Sequence, residues 1–122
     1  MLRILFSRLT FVLLFTTLYI VSCSTKKDVV PEGIIEPVKM TKILVDIQIT
    51  ESTLMHIQQN GMDANKYKKT LFDLVFKKYQ IKKEDFEKSF TYYSKSNIQL
   101  LDKIYADVIT SLSQKQSEIK TH

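Results

Sequence analysis

The chain has 122 residues, 18 Lys and Arg against 13 Asp and Glu, a formal charge of +5, one cysteine and no tryptophan. That length holds one ordinary domain and leaves no room for two, and a lone cysteine excludes an internal disulfide and every multi-cysteine metal motif. The arginines are Arg3 and Arg8 alone; arginine is the usual bidentate reader of phosphates and guanine edges, so nucleic acid is excluded as a partner.

In chain order, Arg3 and Arg8 precede an apolar run from Leu9 to Val21, broken only by Thr10, Thr16 and Thr17, with the small residue Ser22 before Cys23. A basic start, a short apolar run and a small residue are the parts of a secretory signal, and the run is shorter than the roughly 20 residues a membrane-spanning helix needs. Ile20-Val21-Ser22-Cys23 resembles the bacterial lipobox. That resemblance implies that residues 1–22 are a signal peptide cut between Ser22 and Cys23, that the Cys23 sulfur receives a diacylglycerol, and that the new amino terminus is acylated. Several acyl chains together hold a membrane firmly where one does so marginally. By resemblance to sorting rules, Ser24 in place of Asp disfavours retention at an inner membrane, and Lys26-Lys27-Asp28 loosely resembles a surface-export tag. The remaining 100 residues would contain 16 Lys, 13 acidic residues and no arginine.

Residues 23–36, with Pro31 and Gly33 and no helical periodicity, read as the lipidated cysteine and a flexible tether. Residues 37–122 read as an all-α domain, a small bundle of about four helices. The first starts near Pro37, a residue suited to a first helical position, and ends before Gly61; Met40, Ile43, Leu44, Ile47, Leu54 and Met55 share one face. The second follows Asp63 as N-cap and runs to about Tyr79, with Leu71, Phe72, Leu74, Val75, Phe76 and Tyr79 covering half its circumference, so it is expected to be the most buried. A third begins near Lys83, with Glu84 and Asp85 suited to its N-terminal dipole, and aligns Phe86, Phe90 and Tyr93. After a break between Ser94 and Asn97, Leu101, Tyr105, Val108, Leu112 and Ile119 recur in steps of four and three, flanked by Ile104, as in a bundle core.

Few residues suggest chemistry. Glu51 falls between Ile47 and Leu54 at the centre of the first apolar stripe, where a buried carboxylate would need a partner; the expectation is a buried acid that fixes helix register. Asp46, five positions earlier, lies about 140° around the helix, so the two do not share a face. Tyr92 projects sideways from the face of Phe86, Phe90 and Tyr93 and could anchor a partner. His56 lies opposite the first stripe, His122 is the last residue, and no pair of histidines or Glu-x-x-His has ligand spacing. Ser89 has no strand-turn-helix elbow and reads as a packing contact beside Phe86 and Phe90. Lysines 66, 68, 69, 77, 78, 82, 83 and 88 make the middle third basic, with acids interleaved.

The run Met40-x-x-Ile43-Leu44-x-Asp46-x-x-x-x-Glu51, then Val75-Phe76-x-Lys78-Tyr79-x-Ile81, Phe86-x-x-Ser89-Phe90-x-Tyr92-Tyr93 and Ile104-Tyr105 resembles a family of small Bacteroidetes lipoproteins, domain of unknown function 4296, over roughly residues 36–112. Lys82 departs from the Ser or Thr cap usual there. The resemblance implies a lipoprotein address and a helical domain, with no reaction, cofactor or catalytic residue attached. The expected protein is a non-enzymatic, lipid-anchored module at the outer membrane. Its partners are membrane lipid, through acylated Cys23, and another envelope protein; its candidate contact residues are Asp46, Glu51 and Tyr92, and no metal or cofactor is implied. The alternative is a binding protein for a peptide, glycan or lipid held between helices near Glu51.

Overall fold

A computed structural model describes residues 29–120, and the predicted signal, with Ser22, Cys23 and His122, lies outside them. Four helices follow in order: α1 over Pro37–Gln59, α2 over Asn65–Lys78, α3 over Lys83–Ser96 and α4 over Ile98–Lys120. All the regular structure among the described residues is helical.

α1 starts at Pro37 because proline has no N–H to waste on an unpaired first turn; Glu36 before it is extended, and its carbonyl accepts the first helical bond from the Met40 N–H at 2.8 Å. It stops at Gly61, whose φ of +75° suits a left-handed cap. The Gly61 N–H donates to the Gln58 carbonyl and the Met62 N–H to that of Ile57, the bond pair of a Schellman cap. α2 ends the same way, with Gln80 N–H to Lys77 and Ile81 N–H to Phe76, but the left-handed position is Gln80, at φ 52°. At its start, the Asp63 carboxylate accepts from the Asn65 N–H at 3.1 Å, so Asp63 orders the turn one residue ahead of the cap position, which Ala64 takes. Where a Ser or Thr would cap α3, Lys82 stands in extended backbone, and its N–H donates to the Asp85 carboxylate at 3.2 Å. The acid in the first turn thus supplies half of a capping box.

Asn97 alone separates α3 from α4. Its N–H donates to the Tyr93 carbonyl at the end of α3, while its Oδ1 accepts from the Leu100 N–H at 3.3 Å in the first turn of α4.

The core gathers Met40, Ile43, Leu44, Val45 and Ile47 of α1, Val75 and Phe76 of α2, Tyr93 of α3, and Leu100, Leu101, Ile104 and Val108 of α4. α1 packs against both α4 and α2, and α3 packs against α4. The most buried helix is therefore α1 and not α2, which buries only Val75 and Phe76 and leaves Leu74 exposed. Flanking on both sides widens the buried stripe of α1 to include Val45, while its far end leaves Met55 exposed. The α4 seam ends at half-buried Leu112, and Ile119 stands 78 % exposed.

The end of the expected tether is not loose. Pro31–Ile34 form a turn closed by the Ile34 N–H on the Pro31 carbonyl, with Gly33 at φ +77° in the position that type II turns reserve for glycine. Val30 and Ile34 pack on the core, and Ile35 is buried. Two side chains of α3 then grip the backbone of Ile35. The Ser89 hydroxyl accepts its N–H at 2.9 Å, and the Tyr93 hydroxyl donates to its carbonyl at 2.5 Å. Both side chains are fully buried, so an unpaired N–H or carbonyl there would be costly. Ser89 is thus a backbone anchor beyond a packing contact, with its own proton donated to the Asp85 carbonyl at 2.7 Å.

Candidate functional site

Beside this core the helices do not close on each other. Leu44 and Ile47 of α1, Phe72 and Phe76 of α2, Phe86 and Phe90 of α3, and Tyr105 of α4 line an open groove of about 720 Å³, within the size range of ordinary ligand pockets. Phe86 holds the wall together, its ring centroid 5.6 Å from Phe76 and 6.1 Å from Phe90, distances at which aromatic pairs attract. Phe72, Phe86 and Phe90 are only half-buried, and Tyr105 is 39 % exposed.

The rim is charged with both signs. Lys69 pairs with Asp73 along α2, and Lys83 with Glu87 along α3 at 3.4 Å, each one helical turn apart. Lys68 and Glu51 complete it. Glu51 is exposed and not buried, and accepts from Gln48 Nε2 at 3.1 Å. Its direction on α1 is the one the periodicity indicates, but the groove lies opposite it instead of packed side chains, so water solvates the carboxylate.

Asp46 belongs elsewhere, at the seam of α1 and α2. Its Oδ2 accepts from Lys78 Nζ at 2.6 Å and from the Tyr79 hydroxyl at 2.8 Å; that hydroxyl also lies 3.1 Å from the Lys42 carbonyl. The hydrogen bond to Asp46 raises the Lys78 ammonium above its ordinary 10.5. Burial, followed by the bond to Asp46, raises the Tyr79 hydroxyl above its ordinary 10.0. The trio fastens the end of α2 to α1, so Asp46 and Glu51 do not converge. Tyr92 does not reach the groove either; it is half-buried, with its ring edge-on to Tyr93 at 5.4 Å.

His56 sits with Gln48, Ile49, Ser52, Thr53 and Leu112 around a second, open depression. Among the described residues no three His, Cys, Asp or Glu side chains are grouped to hold a metal, and no helix is long and apolar enough to cross a membrane. Of the three candidate contact residues, the groove takes only Glu51. Its aromatic wall is built from residues that periodicity assigns to the core. The usable signal was the breadth of the apolar face of α2, half a circumference on a helix with one covered side.

The model of the family described as Domain of unknown function (DUF4296) matches residues 31–118. The chain belongs to this family. The DUF4296 match takes in all of α1, α2 and α3 and nearly all of α4, and it begins at Pro31, so the turn docked on α3 falls within the domain. No curated protein and no solved structure matches the chain.

Proposed function

We propose that this DUF4296 protein is a non-enzymatic interaction module of the cell envelope, held at the outer membrane through acylated Cys23, whose groove takes an apolar segment of an envelope protein. The observation that carries the reading is the open groove floored by Phe72, Phe76, Phe86 and Phe90. Three of those rings keep surface that a closed core would have covered, and aromatic anchors of this kind dominate binding energy at protein interfaces. A rim of both signs around an apolar floor suits an amphipathic peptide better than a single anionic headgroup. The apolar run before Ser22-Cys23 supports the anchor.

The test is a mild-detergent pull-down of the tagged protein from its native envelope, with Cys23→Ala and Phe72→Glu variants, each checked for helical content. The reading expects one stoichiometric envelope protein, lost with either substitution. Capture that survives Phe72→Glu removes the groove from the account, and capture that survives Cys23→Ala removes the anchor.

A further inference from the structure

α3 is held by two different things on adjoining arcs of its surface. At 100° per residue, Ser89 and Tyr93 occupy one arc, and Phe86, Phe90, Lys83 and Glu87 the next. The first arc grips the backbone of Ile35, and the second is the groove wall. α3 is short, 14 residues, and its helix–helix packing is chiefly on α4. The segment entering from the expected anchor is therefore one of its few supports. That support is itself modest: the two hydrogen bonds to Ile35, its buried side chain and the partly buried Val30 and Ile34 must offset the ordering of the whole segment.

We propose that residues 30–35 are a latch, whose docking on Ser89 and Tyr93 fixes α3 as the groove wall and whose release frees α3 while α1, α2 and α4 stay folded. Given the groove reading above, the consequence is linkage. A docked latch presents a formed wall, so occupant and latch favour each other, and the affinity each gains from the other is equal. A force or partner that draws the segment from residue 29 toward the membrane would then loosen the groove without touching it.

The test is hydrogen–deuterium exchange on the full-length protein in detergent, comparing wild type with Ser89→Ala, Tyr93→Phe and Tyr79→Phe. The first two remove one latch hydroxyl each and keep the packing volume. The third removes a hydroxyl of the same kind from the seam of α1 and α2. A latch predicts that amides 83–96 exchange about tenfold faster in each of the first two variants while those of α1 and α4 hold their protection, and that Tyr79→Phe leaves α3 unchanged. Equal acceleration in all four helices, or no change in α3, overturns it. Exchange is read without any partner. If α3 responds as stated but Phe72→Glu still captures the envelope protein, the latch stands and the groove reading falls.

Discussion

Gln80 offers a stability test with a built-in mirror image. It occupies the left-handed position that closes α2, at φ 52°, with its side chain exposed. Gly61 occupies the matching position of α1, at φ +75°, and a Cβ added there would meet nothing within 4 Å. A non-glycine residue in this conformation costs roughly 1–2 kcal/mol, while glycine costs about 0.5–1 kcal/mol more than alanine in lost chain entropy. Gln80→Gly should therefore gain about 0.5–1 kcal/mol, a rise in melting temperature of about 2–8 °C for a domain of this size. Gly61→Ala should lose a similar amount, and because the site is empty the loss is purely that of the backbone. Urea melts followed by far-UV circular dichroism measure both, with an unchanged slope confirming that only stability moved. A lower midpoint for Gln80→Gly would show that the glutamine side chain contributes to the cap; an unaffected Gly61→Ala would refute the backbone cost itself.

The Asp46 trio predicts alkaline sensitivity. Lys78 and Tyr79 are both raised above their ordinary values, so their contribution is fully present below those values and is lost as pH climbs past them. Urea midpoints should stay level from pH 7 to about 9 and then fall, and the fall should be shallower in Asp46→Asn, which is already weaker at neutral pH; an equally steep fall would detach the trio from stability. For Glu51, solvent exposure predicts that Glu51→Gln and Glu51→Leu each stay within about 0.5 kcal/mol of wild type in urea melts. A large loss confined to the leucine variant would restore the buried acid that periodicity suggests.

Much of the scaffold is readable from the chain itself. Pro37 and Gly61 bound α1, Met40, Ile43, Leu44 and Ile47 mark its buried face, and the break after Ser94 appears at Asn97. What periodicity cannot supply is the identity of whatever stands opposite a face. Glu51 and Phe72 point where the pattern puts them, yet both meet the groove, because the helices part there. The docked segment was hidden for another reason. Ile34 and Ile35 are two apolar residues between Gly33 and Pro37, too few for any period, and the backbone of Ile35 is captured by hydroxyls more than 50 residues away. Ser89 gave no warning either, since a small residue among phenylalanines reads equally well as filler or as a backbone anchor.

Asn97 carries a consequence for how this domain can change. Its main chain finishes one helix and its side chain opens the next, so no slack exists between them. Adding or dropping one residue there would turn α4 by about 100° and swing Leu101, Ile104 and Val108 away from α1. The junction between α1 and α2, five residues from Asn60 to Ala64 with Gly61 in open space, has no such constraint. Length variation among relatives, and any inserted reporter or affinity tag, should accumulate at the first junction and be absent from the second.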